Sequence, residues 1–244
     1  MTTPDKRIEW LEPIAASTRR FAATVRTLTD ADVSGASLIP PWTRGHVVTH
    51  VCRAGDSLVR LLSWARTGVE VPQYPSMESR AAEIEAGAAR TVAQLLADLA
   101  ESAERFAVAV QTLPPRAWDR SVRPRTGELR TPETLVPMRL RELEIHHVDL
   151  DAGYSFTDIP PPAARWILDD IADALQHRES DCPAMRLRAT DSGFNRRVGT
   201  PEAGPITVVG SQADLLGWLS GRWPVARTAL TAGADPVPNA PRWI

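Results

Sequence analysis

The chain has 244 residues, enough for two domains with sizeable cores, and 43% of them are hydrophobic. A net charge of −2 and a pI of about 6.2 leave no basic surplus of the kind a phosphate backbone demands, so nucleic-acid binding is set aside. No uncharged apolar run approaches the roughly 18 residues of a membrane span, the opening MTTPDKRIEWLEP has no apolar stretch after a basic region, and Cys52 and Cys182 are too few for a disulfide framework. These features predict a soluble protein of the reducing cytoplasm.

In chain order, apolar residues first recur at three and four. Ile8, Leu11, Ile14 and Ala15 predict a helix over 4–29, and Val47, Val51, Ala54 and Leu58 predict one over 43–67. Thr43, after Pro-Pro-Trp, is the expected N-cap of the second helix and Gly68 its stop. A shorter helix is predicted near 76–88. Val92, Leu95, Leu96, Leu99 and Phe106 mark a helix over 91–113, and a fourth long helix is predicted over 133–152 with Gly153 as its stop. Pro137 either marks the first turn of that helix, which then begins later than 133, or kinks it.

After Tyr154 the run SFTDIPPP reads as a linker, which divides the chain into a helical bundle over 1–155 and a second domain over 160–244. A helix over 162–178 precedes the strand-like runs MRLRAT, FNRRVG and PITVVGS, which are separated by Asp-Ser-Gly and Pro-Glu-Ala-Gly turns. A capped amphipathic segment, SQADLLGWLSGR, follows from Ser211 and stops at Gly221. The fold class is therefore α+β, a four-helix bundle with a small α+β C-terminal domain.

Chemistry concentrates around the histidines. On a helix, residues four apart share a face, so in RELEIHHVDL Glu142 and His146 point one way while Glu144 and His147 point elsewhere. His46 and His50 repeat the spacing on the second helix. His50, Glu142 and His146 form a two-histidine, one-carboxylate set with an open fourth position, which suits catalytic zinc, with nickel, iron or manganese as alternatives. There is no H-E-x-x-H, so a zinc protease lacks its general base.

His46 lies one turn nearer the helix start and either supports the site from behind or simply packs. His147, about 100° from His146, reads as structural, and His177 as solvent-facing. Cys52 lies about 200° round from His50 and reads as a small buried residue rather than a nucleophile. Asp149 either backs His146 or holds the helix end.

The runs WTRGHVVTHV from Trp42, YPSMESRAAEIEAGA from Tyr74, RLRELEIHHVDLDAGY from Arg139, the Gly221-Arg222 pair and the terminal APRWI together resemble the mycothiol-dependent maleylpyruvate isomerase family. The resemblance spans nearly the whole chain. It implies a zinc-binding, DinB-like bundle with a small α+β second domain, metal ligands at His50, Glu142 and His146, and functional arginines at Arg80 and Arg222. It also implies the thiol cofactor mycothiol and a cis-trans isomerisation of maleylpyruvate to fumarylpyruvate, a step of gentisate-type aromatic catabolism.

The chemistry is coherent. A cis alkene conjugated to a ketone does not rotate unaided, whereas thiolate addition makes the bond single, lets it turn, and elimination restores the alkene. Coordination deprotonates a thiol near neutral pH, and guanidinium forks suit the two carboxylates of the substrate. Two other classes share these residues: a mycothiol-dependent S-transferase acting on another electrophile, and a non-catalytic binding module that keeps the bundle.

Overall fold

The computed structural model of the chain describes residues 8–176, 182–199 and 204–241. His177, the Pro-Glu-Ala of the last turn, and the Arg-Trp-Ile end lie outside the described residues. Two compact units result, Met1–Tyr154 and Ser155–Ile244, and among the described residues no helix is long and apolar enough to cross a membrane.

The first unit runs α1 (Leu11–Arg26), a single turn α2 (Asp30–Val33), α3 (Arg44–Thr67), α4 (Met77–Ala88), α5 (Val92–Gln111), a single turn α6 (Pro132–Leu135) and α7 (Met138–Asp149). Helix α3 packs against α4, α5 and α7, and α1 packs against α5 and α7, so α1, α3, α5 and α7 make the bundle. Its core is filled by Phe21, Leu61, Leu62, Leu95, Leu99 and Phe106, all buried.

Local chemistry sets the helix limits. The Thr43 hydroxyl accepts from the backbone N–H of His46, and the His46 ring accepts in return from the backbone N–H of Thr43, a capping box that starts α3. Gly68 closes α3 in the left-handed region at φ 79°, its N–H bonded to the Trp64 carbonyl at 2.7 Å. Thr91 caps α5 through Gln94 in the same reciprocal way.

The predicted helix over 133–152 is in fact two. Pro132 opens α6, the chain turns at Val136, and α7 begins only after Pro137, because a proline lacks the N–H that a helix interior requires. The other end also moves. The helix stops at Asp149 rather than running to Gly153, and Asp151 turns the chain at φ 50°. The first helix likewise ends at Arg26, short of 29.

The end of α7 is stitched to the start of α3. Arg44 donates from Nε to the Leu150 carbonyl at 2.6 Å and from Nη2 to the Asp151 carbonyl at 3.1 Å, while the Leu38 N–H donates to the Asp149 carbonyl at 3.0 Å. These bonds satisfy carbonyls that a helix C-terminus leaves unpaired. They also set α3 and α7 side by side and antiparallel from a common end.

The other face of α7 is tied to α1. Buried Glu144 accepts from Arg20 at 2.5 Å and from the Tyr154 hydroxyl at 2.6 Å. The Tyr154 ring stacks on His147 at 3.7 Å and 6°, and His147 Nε2 meets Thr24 Oγ1 at 2.7 Å. His147 is thus structural.

The second unit contains α8 (Pro161–Gln176), β1 (Met185–Ala189), β2 (Asn195–Val198), β3 (Ile206–Gly210) and α9 (Gln212–Leu219). The sheet order is β2-β1-β3, with β1 antiparallel to β2 (Met185 opposite Val198) and parallel to β3 (Met185 opposite Ile206). Met185, Leu187 and Ala189 of β1 are buried and Arg188 is exposed, the alternation of a sheet covered on one face. Helix α8 packs on β2 and α9. Ser211 caps α9, which ends at Leu219, two residues before Gly221 with its positive φ.

Helix α4 can lie against α3 because residue 45 has no side chain. A Cβ at Gly45 would come within 2.1 Å of the Ala88 carbonyl oxygen, a backbone atom that cannot swing away. Gly45→Ala is therefore expected to destabilise the protein by about 1–3 kcal/mol, despite alanine's better helix propensity. Urea unfolding measures this, and a gain in stability would show that the two helices separate easily.

Candidate metal centre

Six residues beyond Arg44 on α3, and one turn before the end of α7, the stitched helices bring three side chains together. His50 Nε2 lies 2.9 Å from His146 Nε2 and 3.4 Å from Glu142 Oε2, and His146 Nε2 lies 3.5 Å from the same oxygen. Three ligands about 2.0–2.1 Å from a tetrahedral zinc ion stand roughly 3.3 Å apart. The triangle has that size, and its atoms are two imidazole nitrogens and a carboxylate oxygen. Among the described residues this is the one group of three or more such side chains that could hold a metal ion.

Each member is held from behind. His146 Nδ1 donates to Asp149 Oδ2 at 2.8 Å, and Asp149 is wholly buried. That bond puts the ring's proton on Nδ1 and turns the Nε2 lone pair into the triangle. Asp149 therefore backs His146, the first of the two roles open to it. Arg141 Nη2 donates to Glu142 Oε1 at 3.2 Å, which leaves Oε2 for the triangle. Neighbours along a helix ordinarily diverge, so adjacency in sequence gave no reason to pair these two.

The electrostatics follow from burial and these partners. Burial, and then the charge of His146, push His50 down to about 4, so its ring is neutral at pH 7. Burial opposes ionisation of Glu142, but hydrogen bonds from His146 and His50 and the charge of Arg141 outweigh it and hold the carboxyl well below its usual range. Burial likewise opposes a charge on His146, yet its hydrogen bonds to Asp149 and Glu142 raise its pKa. The site is an ionised carboxylate beside a neutral imidazole and a second imidazole that holds its proton more tightly than usual, so a cation must displace that proton.

The surroundings separate the remaining candidates. Arg80, on α4, donates from Nη2 to His50 Nδ1 at 3.2 Å, and its guanidinium lies 5.5 Å above the Tyr74 ring. Its Nε is buried with no acceptor among the described residues. Arg222, in the second unit, donates from Nη1 to the Ser220 carbonyl at 2.7 Å. His46 is the capping partner of Thr43 and its Nε2 faces Glu85 Oε2 at 3.0 Å, so it supports α3 and is no ligand. Cys52 is buried, and burial pushes its thiol up to about 12, so it stays protonated and inert. Trp42, which sequence spacing did not single out, has its ring 5.2 Å from that of His50.

A family model for the mycothiol maleylpyruvate isomerase N-terminal domain matches residues 14–151, a stretch that contains all three triangle residues. Among solved structures, the chain is similar to the crystal structure of the mycothiol-dependent maleylpyruvate isomerase, at 28% identity and a TM-score of 0.86, with 97% of each chain covered. It is also similar to a histidine-to-alanine mutant of that enzyme, at 28% identity, a TM-score of 0.85 and the same coverage. No curated protein matches.

Asp149→Asn keeps an acceptor for His146 but removes its charge. Zinc affinity, measured by chelator competition, is expected to fall about 10–100-fold at pH 8. Protons compete for the ligand nitrogen of His146, and its raised pKa means that zinc is lost as pH falls from above the ordinary histidine value. Without the carboxylate the pKa of His146 drops, so the midpoint of the affinity's own pH dependence moves to lower pH. An unchanged affinity and midpoint would show that Asp149 serves only the helix end.

Proposed function

The chain belongs to the mycothiol maleylpyruvate isomerase family, and we propose that it is a metal- and mycothiol-dependent enzyme that isomerises maleylpyruvate to fumarylpyruvate in gentisate-type aromatic catabolism. The His50–Glu142–His146 triangle, buried at His50 and half-buried at the other two, with the unsatisfied Nε of Arg80 beside it, carries this reading. His50, Glu142 and His146 would hold the metal, with zinc the best match to two imidazoles and a carboxylate. When bound, the metal makes the cofactor's thiol a thiolate, whose reversible addition to the alkene allows the bond to turn.

The chain's own residues prepare and orient. Asp149 keeps the His146 proton on Nδ1, and Arg141 holds the second oxygen of Glu142. His50 offers Nε2 to a cation only when its single proton is on Nδ1, and in that tautomer Nδ1 no longer accepts from Arg80. The two uses of His50 exclude each other, so Arg80 would turn both Nη2 and its unsatisfied Nε to another acceptor. A substrate carboxylate fits that pair of donors. Arg222 is assigned the other carboxylate on the family resemblance, because a dianion calls for two cations. Neither Cys52 nor Cys182 forms a disulfide among the described residues, which suits a reducing cytoplasm.

Two results are expected. With zinc and maleylpyruvate, activity should require mycothiol and should not return with an equal concentration of a simple thiol; full turnover without any thiol would refute the mechanism. Arg80→Ala and Arg222→Ala should each lower kcat/KM by roughly ten- to a hundred-fold, since a charge-assisted hydrogen bond is worth about 1.5–3 kcal/mol. Zinc content should hold in both variants. Wild-type kcat/KM in either would remove that arginine from the site.

A further inference from the structure

Trp42 is a half-buried aromatic beside the metal triangle. Its indole plane is nearly parallel to the His46 ring, at 16° with centroids 6.3 Å apart, and is tilted 55° to the His50 ring at 5.2 Å. The backbone that carries it is firmly held. Ser37 donates from its backbone N–H and its hydroxyl to the Trp42 carbonyl at 3.2 and 2.8 Å, and the Trp42 N–H donates to the Ile39 carbonyl at 3.0 Å. His46, on which the indole rests, is itself fixed between Thr43 and Glu85. Yet nothing among the described residues accepts from the indole N–H.

A rigid aromatic face with an unspent donor, next to the place where a sulfur would bind, is suited to a ligand that is apolar on one side and rich in hydroxyls at its edge. The two small molecules of the proposed reaction differ in that respect. The substrate is a dianion, and the face of an aromatic ring carries the negative part of its quadrupole, so carboxylates favour Arg80 over Trp42. The cofactor joins its thiol to an uncharged sugar and inositol, whose C–H faces pack on an indole and whose hydroxyls accept from its N–H.

We infer that Trp42 is the platform for the carbohydrate part of the thiol cofactor, and so the residue that selects mycothiol over sugar-free thiols. This rests on the isomerase reading given above. Because the platform is pre-ordered, little conformational freedom is lost when the sugar docks on it.

The test is calorimetric titration of the zinc-loaded full chain with mycothiol and, separately, with N-acetylcysteine, which offers a thiol and no sugar. Trp42→Ala should weaken mycothiol by about tenfold or more, with N-acetylcysteine affinity and zinc content unchanged. Trp42→Phe keeps a ring and loses the N–H, so its loss should be smaller, and it serves if the alanine variant folds poorly. Equal mycothiol affinity in the variants, or equal losses for both thiols, would overturn the assignment and leave Trp42 as packing for His50. If the wild type binds N-acetylcysteine but shows no preference for mycothiol, the cofactor reading falls as well, which a loss confined to the variants does not imply.

Discussion

Arg44 joins the first turn of α3 to the last carbonyls of α7, and the register of the metal centre depends on that junction. Two antiparallel helices that lie side by side from a common end have a fixed correspondence between residues at similar distances from it. His50 lies six residues, about 9 Å, along α3 from Arg44, and His146 lies four residues, about 6 Å, before Leu150 on α7. The two positions differ by only about 3 Å in height, which the side chains span to bring the imidazoles together. Displacing either helix by one turn would move a ligand by about 5.4 Å, more than the width of the triangle.

Keeping a carboxylate and two imidazoles out of water is unfavourable unless each has partners. Here the partners come in the orientation a cation needs. Asp149 and Arg141 occupy the far sides of His146 and Glu142, so the unengaged lone pairs converge on one point. Neutral His50 adds a third without adding charge. Helix α7 divides these tasks by its period, with Glu142 and His146 toward α3 and Glu144 and His147 toward α1. The second face is a stability device, because Arg20, Thr24 and Tyr154 anchor the helix whose first face carries the chemistry.

The start of α3 has several functions in few residues. Thr43 and His46 begin the helix, His46 meets Glu85 of α4, and Gly45 lets α4 approach closely enough for Arg80 to reach His50. A change in this segment would move the cap, Trp42, the second helix and the arginine together, so its effects on stability and on the site are coupled.

Much of this was legible in the residues. Helical periodicity and the Thr43 and Gly68 signals located α3 to within a residue, strand-like runs set between turn signals marked the three strands, and the i,i+4 rule selected Glu142 with His146, because all of these depend on local backbone geometry. Proline chemistry said that the helix could not run through residue 137 unchanged, but left open whether it would kink or restart. The end of α7 at Asp149 was beyond reach, since the carbonyls there are satisfied by Arg44, more than a hundred residues away in sequence. So were Arg141 on Glu142, Tyr154 on His147, and Trp42 beside His50. A period states the angle at which a side chain leaves its own helix; which helix stands opposite, at what height, and which long side chains bend to meet there are settled only when the bundle closes.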